Sequence, residues 1–231
     1  MQNKQYNQYN GLLLVNKPSG ITSFGLLKQI KKKLSVNKIG HCGTLDPLAQ
    51  GLMLVLVGKA TKKQDFFMKK DKIYKATVKL GIKTDTADMA GKIIATAGYE
   101  HITVDDIKKV CENFTGEIEQ IPPMYSALKV KGKKLCDLAR QGITIERKKR
   151  KIIIYSIDIL NFKKDTFETR IKCSSGTYIR TLAEDIGTAL KTEGVLSELV
   201  REQIDNWKLS DALTVEQLTE KDIIPIDNIN L

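Results

Sequence analysis

The chain has 231 residues, of which 42% are hydrophobic and 28% charged, and its formal net charge is +11. These values are typical of a globular protein, and the length suits one large domain or two small ones. No apolar run approaches the roughly 18 residues that a membrane helix needs. The positive charge favours a polyanionic partner, either nucleic acid or an anionic membrane.

The N-terminal segment and the cysteines bear on the compartment. Residues 1–10 are polar and lack the apolar core of a signal peptide, so we expect a flexible tail on a cytoplasmic protein. The four cysteines are far apart and form no Cys-x-x-Cys pair, and the two histidines add no metal-ligand spacing. We therefore expect free thiols in a reducing compartment and no bound metal.

The first elements along the chain are a strand and a helix. Residues 11–15 predict a short strand, which a Pro- and Gly-containing turn follows. Ser23 is expected to cap a helix whose apolar face carries Phe24, Leu27, Ile30 and Leu34. The lysines around the rest of this helix are either a solvated surface or lie near phosphates.

The segment 38–51 carries the densest chemical signal. Asp46 directly precedes Pro47, which favours an extended backbone at the aspartate, and glycines on both sides allow tight turns. The apolar run 52–57 then predicts a buried strand. The pattern indicates a stiff loop on a rigid strand that presents a carboxylate, although an ordinary Asp-Pro turn fits the spacing as well.

The middle of the chain alternates between strand and helix signals. Residues 73–80 alternate between apolar and polar types, so Tyr74 is expected to lie on one face of a strand, with packing as its default role. The polar loop 81–91 matches no calcium loop and predicts a turn. Thr103 with Asp106 predicts a helix start, and Gly116 is expected to close that helix.

The second half of the chain begins with a basic segment. Residues 121–151 combine prolines, aromatic residues and many cationic side chains, which predicts a mobile basic flap and not a part of the core. Residues 152–160 and 166–173 predict a strand pair. Tyr178 and Arg180 then lie at a strand-to-helix junction, where functional side chains are frequent.

A family resemblance covers most of the chain. The run Gly40-His-Cys-Gly-Thr-Leu-Asp-Pro-Leu-Ala49 resembles the signature of the TruB family of pseudouridine synthases, which modify a uridine in the T-loop of tRNA. Further similarity extends from residue 11 to residue 201 and includes the segments 72–75, 125–129 and 176–180. The resemblance implies an α/β fold of the α+β type, with a mixed, mainly antiparallel central sheet flanked by helices and loops. It also implies one catalytic domain, residues 11–231.

The resemblance implies a role for individual residues. Asp46 matches the catalytic aspartate, and Arg180 the arginine that holds this aspartate ionised and oriented. Tyr74 matches the tyrosine that stacks on the target base, and Tyr178 a tyrosine that lines the pocket. The other implied substrate contacts are His41, which helps to hold the opened RNA loop, and the apolar pocket residue Leu199.

The segment 121–151 resembles the RNA-gripping insertion of the family. The implied RNA contacts are Lys129, Lys133, Lys134 and Arg147. Cys136 stands where the family usually has an aromatic residue. The sequence after Thr214 is too short for a complete C-terminal PUA module, so we expect a short form with a weaker grip on the acceptor side of tRNA.

The implied reaction is the isomerisation of the tRNA uridine at position 55, by a monomer that uses no cofactor. A carboxylate suits this chemistry because positive charge develops on the sugar, as it does in glycoside hydrolysis. Asp46 could attack a sugar or base carbon, or remove a sugar proton. Two other functions are compatible with the sequence: an RNA chaperone that opens and refolds tRNA, and a pseudouridine synthase of another RNA specificity.

Overall fold

The computed structural model describes residues 9–126, 128–130 and 132–229, without the side chains of Lys129 and Lys134. Residues 1–8 of the expected tail lie outside the described residues. The chain divides into two compact units: unit 1 comprises Met1–Ile73 and Val200–Leu231, and unit 2 comprises Tyr74–Leu199. In the described ranges, no helix is long and apolar enough to cross a membrane.

The described residues form five α-helices and fourteen β-strands. The α-helices are α1 (Ser23–Lys33), α2 (Gln64–Met68), α3 (Val104–Asn113), α4 (Leu135–Arg140) and α5 (Ile179–Ala189). The first strands are β1 (Gly11–Lys17), β2 (Ile39–His41), β3 (Gln50–Val57), β4 (Lys72–Leu80), β5 (Ile82–Thr84), β6 (Ile93–Thr96) and β7 (Gly116–Gln120). The later strands are β8 (Lys129–Val130), β9 (Lys133–Lys134), β10 (Arg150–Lys163), β11 (Thr166–Cys173), β12 (Gly194–Ile204), β13 (Trp207–Lys208) and β14 (Ile224–Pro225).

Unit 1 is built on the strand order β14-β1-β3-β12, with β2 also paired to β3 and β13 to β12. Strand β3 confirms the expectation of a buried strand, since every residue from Leu52 to Val57 is at most 1% exposed. A strand buried on both faces needs apolar side chains at every position, which explains the unbroken apolar run. The ring of Phe67 packs against Trp207 in this core, with 5.3 Å between their centroids.

Helix α1 differs from the prediction at its first turn. The cap is Thr22 and not Ser23, since the Thr22 hydroxyl accepts a hydrogen bond from Gly25 N at 2.9 Å. Phe24 is 64% exposed, whereas Leu27, Ile30 and Leu34 are buried as expected. The Ser23 hydroxyl is unavailable as a cap because it bonds to the backbone of another segment, described below.

Unit 2 follows the strand order β12-β4-β11-β10-β7, with the separate hairpins β5–β6 and β8–β9. Strand β4 alternates between buried and half-buried residues along its length, which confirms the predicted periodicity. Strands β10 and β11 form the predicted antiparallel pair. The capping box of Thr103 and Asp106 opens α3, but the helix ends at Asn113, and Gly116, with φ +107°, begins β7 instead of closing the helix.

The segment 121–151 also differs from the expectation. It contains the β8–β9 hairpin and α4, and Leu135 and Leu138 are only 1% and 8% exposed. Both leucines lie on the apolar side of α4 and are buried, so this part of the segment belongs to the core.

The strand registers confirm a mixed and mainly antiparallel sheet. Strand β12 runs parallel to β3, through the pairs Val200 with Gln50 and Arg201 with Gly51. The pairs of β1 with β3, β10 with β11, and β10 with β7 are antiparallel. The expectation of one catalytic domain over residues 11–231 stays a prediction.

Candidate active site

The Asp46 loop, residues 42–49, is held from one side by the start of α1. Ser23 Oγ donates to the carbonyl oxygen of Leu45 at 2.8 Å and accepts from Leu45 N at 2.9 Å. Gly20 N donates to the Pro47 carbonyl at 2.8 Å, and Ser19 Oγ to the Leu48 carbonyl at 2.8 Å. The backbone is therefore fixed immediately before and after Asp46.

Lys17 holds the same loop from inside the protein. Its side chain is completely buried, and Nζ donates to the carbonyl oxygens of Ala49 at 2.6 Å, Pro18 at 2.8 Å and Pro47 at 3.5 Å. Burial lowers the pKa of Lys17 to about 8, the negative charge of Asp46 acts in the opposite direction, and Arg201 lowers it further. Lys17 therefore supports the loop backbone and places a positive charge in the electrostatic environment of Asp46.

Arg201 is the third support of the loop. It is 1% exposed, and it donates from Nε to the Leu52 carbonyl at 2.7 Å and from Nη2 to the Gly43 carbonyl at 3.1 Å. Gly51 packs so closely on this arginine that a Cβ there would lie 2.5 Å from the Arg201 carbonyl oxygen. With φ +108° and no room for a side chain, position 51 requires glycine. Arg201 is a supporting residue that sequence reasoning missed.

Asp46 itself is half-buried, and its carbonyl oxygen accepts a hydrogen bond from Ala49 N at 3.1 Å. The neighbouring thiol of Cys42 is buried, and burial raises its pKa to about 12. A thiol that remains protonated is a weak nucleophile, so Cys42 acts as a packing residue. The loop thus offers one carboxylate as its reactive group.

His41 lies on β2 in the same unit as Asp46, and Gln64 Nε2 donates to its carbonyl oxygen at 3.0 Å. Burial lowers the pKa of the imidazole, and Arg201 lowers it further, so the ring is neutral at pH 7. His41 Nδ1 is buried and has no hydrogen-bond partner in the described part of the chain. A neutral imidazole can form hydrogen bonds and pack against other groups, but it does not act as a cation.

Arg180 forms the centre of a second cluster, in unit 2. It is 4% exposed, and it donates from Nη1 to the Thr86 carbonyl at 2.8 Å and from Nη2 to the Tyr125 carbonyl at 2.6 Å. Asp88 Oδ2 lies 3.8 Å from Nη1. A cation in the first turn of a helix opposes the helix dipole, and these acceptors offset that cost. The implied interaction of Arg180 with Asp46 stays a prediction.

Asp88 lies in the loop 81–91, for which the sequence predicts only a turn, but its carboxylate is buried, with 6% of the residue exposed. Its Oδ1 accepts hydrogen bonds from Thr86 Oγ1 at 2.7 Å and from Ala90 N at 3.1 Å. These bonds orient the carboxylate, and its other oxygen is the one near Arg180. Asp88 is therefore a residue of this cluster that sequence reasoning missed.

The other implied pocket residues of unit 2 lie on its strands and at the start of α5. Tyr74 on β4 and Leu199 on β12 are 8% and 7% exposed. Tyr178 is half-buried and occupies the position before the first residue of α5, where the turn contains Gly176 with φ +85°. The roles of these three residues toward a substrate stay predictions.

The implied RNA contacts have different surroundings. Lys133 on β9 is exposed, as an RNA contact requires. Arg147 is half-buried and donates from Nη1 to the Pro122 carbonyl at 3.2 Å, so it joins the two ends of the segment 121–151. The side chains of Lys129 and Lys134 lie outside the described part of the structure. Within that part, no group of three or more His, Cys, Asp or Glu residues could hold a metal ion.

The comparisons with known proteins show the family of the chain. The family model described as TruB family pseudouridylate synthase (N terminal domain) matches residues 31–179. A relative from Endomicrobium trichonymphae, named tRNA pseudouridine synthase B, is 53% identical over 221 residues, which cover 96% of each chain. A relative of the same name from Clostridium kluyveri is 46% identical over 222 residues, covering 94% of this chain and 76% of the relative.

Two solved structures are also similar to this chain, at lower sequence identity. A chain of a Cbf5-Nop10-Gar1 complex matches with a TM-score of 0.72 and 28% identity, over 94% of this chain and 60% of that chain. A chain of an H/ACA RNP bound to a substrate RNA containing 2′-deoxyuridine matches with a TM-score of 0.67 and 27% identity, over 90% of this chain and 52% of that one. This chain thus spans a little over half the length of these two.

Together, the fold and the similar proteins define a pseudouridylate synthase, an enzyme that isomerises uridine within RNA. Within this class, the chain belongs to the TruB family. Family membership confirms the resemblance and the fold class inferred from the sequence.

Proposed function

We propose that this protein is a tRNA pseudouridine synthase that converts the T-loop uridine at position 55 of tRNA to pseudouridine. The observation that carries the proposal is the support of the Asp46 loop by the three buried residues Lys17, Ser23 and Arg201. Such support holds one carboxylate in a defined position, as an active site requires. The names of the two relatives support tRNA as the substrate.

The reaction needs no cofactor because its atoms balance within the substrate and water. The bond between C1′ of the ribose and N1 of uracil breaks, the base rotates, and C1′ bonds to C5. The proton on C5 is lost to water, and N1 gains a proton. Asp46 either attacks a sugar or base carbon or removes a sugar proton, and in each route the carboxylate acts in its ionised form.

The remaining site residues bind and orient the target base. A uridine must leave its stack before its N1 and C5 become accessible, and aromatic faces stabilise an extruded base. We assign Tyr74, Tyr178 and Leu199 to this pocket, with His41 holding the opened loop as a neutral group. Arg180 is assigned to Asp46, because a guanidinium can bind a carboxylate through two parallel hydrogen bonds.

The proposal includes the partner and the cellular setting. The T-arm of tRNA is the bound RNA, with Lys129, Lys133, Lys134 and Arg147 as contacts in the insertion 121–151 of a catalytic domain spanning 11–231. The four cysteines are free, which fits a reducing compartment, and we place the protein in the cytoplasm as a monomer.

A tritium-release assay tests the proposed function. The purified protein is incubated with a T-arm hairpin that carries tritium at C5 of its uridines, without guide RNA, protein partner, added metal or nucleotide. We expect release of tritium to water from the wild type. Asp46→Asn keeps the side-chain shape and removes the charge, so release is expected to fall by at least about a thousandfold while hairpin binding persists.

The matched control is Asp211→Asn, which changes an exposed aspartate of the same unit and should leave release unchanged. No release from either the hairpin or whole tRNA, together with tight binding, would contradict the proposal and favour the RNA chaperone. Release that required a guide RNA would instead favour a synthase of another RNA specificity.

A further inference from the structure

Gln120 is a buried polar residue to which neither the sequence motifs nor the proposed mechanism assigns a role. It is the last residue of β7 and is 2% exposed. Its side-chain amide bonds twice to the backbone of Tyr178: Nε2 donates to the Tyr178 carbonyl at 3.0 Å, and Oε1 accepts from Tyr178 N at 2.8 Å. One buried amide thus holds both backbone groups of a single residue.

This two-point contact determines the orientation of the peptide groups around Tyr178. Tyr178 precedes the first residue of α5, and its own side chain makes no capping hydrogen bond there. The Tyr178 carbonyl also accepts the first helical bond of α5, from Leu182 N at 3.1 Å. A single hydrogen bond allows rotation about its axis, whereas two bonds to one residue restrict it. Gln120 therefore controls the direction in which the Tyr178 side chain leaves the backbone.

The segment that follows Gln120 forms a second contact with the start of α5. Arg180, two residues after Tyr178, donates to the carbonyl of Tyr125 at 2.6 Å. Gln120 directly precedes the segment 121–151, and in the sheet it pairs with Arg150 at the other end of that segment. The two ends of the proposed RNA-binding insertion and the start of α5 are thus joined by part-buried hydrogen bonds within unit 2.

We propose that Gln120 is a positioning residue for pseudouridine formation, which holds Tyr178 in the orientation that contacts the extruded uracil. The proposal rests on the proposed function, since it needs Tyr178 to line the pocket of a base that has left its stack. It assigns to Gln120 no contact with RNA. We expect Gln120 to affect the rate of the chemical step more than hairpin affinity. A displaced Tyr178 would misalign the target base, whereas most contacts with the hairpin would remain.

Two variants test the proposal. Gln120→Met has nearly the same length and removes both hydrogen bonds. We expect its single-turnover rate of tritium release to fall about 10- to 100-fold, with hairpin affinity within about threefold of the wild type. Gln120→Glu keeps an acceptor for Tyr178 N but loses the donor to the Tyr178 carbonyl when ionised. Its rate relative to the wild type should therefore rise as the pH falls and the new carboxyl group becomes protonated.

Thr169→Val is the matched control for the removal of a buried hydrogen bond. Thr169 is completely buried in the same unit and donates from Oγ1 to the Asp158 carbonyl at 3.0 Å, without contributing to the start of α5. We expect this variant to lose stability and to keep the single-turnover rate of its folded fraction. A wild-type rate in Gln120→Met, or an equal loss in Thr169→Val, would overturn the proposal.

Amide hydrogen exchange separates this proposal from the proposed function. In the wild type, Tyr178 N–H is protected by Gln120 Oε1, so its exchange should accelerate in Gln120→Met and stay slow in Thr169→Val. Unchanged protection would overturn the positioning role, whether or not the protein is active. If the wild type released no tritium while the exchange result held, the proposed function would fail and the contact itself would stand.

Discussion

Lys17 is a buried cation whose ammonium group is surrounded by backbone carbonyls of the Asp46 loop and its neighbour Pro18. A buried lysine without solvent is costly, and the lowered pKa of about 8 reflects that cost. The protein keeps the charge because several carbonyl oxygens share it. This arrangement fits a residue that supports the backbone of the active site and does not itself react.

Replacing Lys17 with methionine tests that role. Lys17→Met removes the donor and leaves buried carbonyls unpaired, so the free energy of unfolding is expected to fall by about 1–3 kcal/mol. Tritium release should fall further than the folded fraction does, because the loop loses its inner support. Urea denaturation and single-turnover rates measure the two effects. Lys208→Met, at an exposed position on β13 in the same unit, is the control, and equal effects in both variants would contradict the assignment.

The buried imidazole of His41 predicts a pH dependence of stability. Its pKa in the folded protein lies below the ordinary value of 6.5, mainly because of burial, so the unfolded chain binds the proton more readily. The contribution of His41 to stability is therefore fully present above pH 6.5 and is lost as the pH falls below that value. We expect the urea midpoint of the wild type to decrease from pH 7 to pH 5 more than that of His41→Gln.

His101→Gln is the control for this measurement, since His101 is exposed in unit 2. Its urea midpoint should follow the wild-type pH dependence. A His41→Gln variant with the same pH dependence as the wild type would show that the imidazole titrates alike in the folded and unfolded chain.

At the scale of elements, α1 has two distinct sides, one that contacts the Asp46 loop and one that is exposed. Its first turn fixes the Asp46 loop through Ser23, and its outer side carries exposed lysines and Phe24, over whose ring Lys28 Nζ lies at 4.9 Å from the centroid. The first 45 residues contain seven lysines and no aspartate or glutamate. This surface is therefore strongly positive and close along the chain to the loop that carries Asp46.

We expect this side of α1 to bind RNA phosphates. In the double variant Lys28→Gln/Lys32→Gln, the slope of log K against log salt for the hairpin should decrease by about 0.7–0.9 for each phosphate that the protein no longer neutralises. The control is Lys108→Gln/Lys109→Gln on α3, where Asp105 lies 3.7 Å from Lys108 and reduces the local positive charge. An unchanged salt slope in the α1 variant would show that these lysines are only solvated.

The elements that could be predicted from the sequence are those whose pattern is local. The apolar run of β3, the alternation of β4 and the capping box of α3 all arise from neighbouring residues, and the structure confirms them. The prediction that Ser23 caps α1 is wrong because the hydroxyl of Ser23 bonds to Leu45, which lies 22 positions further along the chain. No periodicity in the sequence of α1 reports that contact.

The same distinction applies to the site. Asp46 is a candidate from the sequence alone, because it precedes proline and lies within the family signature. Arg201, Gln120 and Asp88 are not, because each acts on residues that are remote in sequence. The separation is 158 positions for Arg201 and Gly43, and 58 for Gln120 and Tyr178. Such contacts exist only in the folded chain.

At the scale of the whole molecule, unit 1 consists of two segments from opposite parts of the chain. The second half of strand β12 pairs in parallel with β3, Val200 with Gln50 and Arg201 with Gly51. The Asp46 loop therefore depends on Arg201, an arginine from the second of these two segments.

This dependence has a consequence during protein synthesis. A ribosome adds about 5–20 residues per second, so the segment with Asp46 leaves the exit tunnel seconds before Arg201 has been made. During this interval the carbonyls of Gly43 and Leu52 lack the donor that later binds them. A nascent chain thus carries the Asp46 carboxylate on an incomplete support until Arg201 has been added.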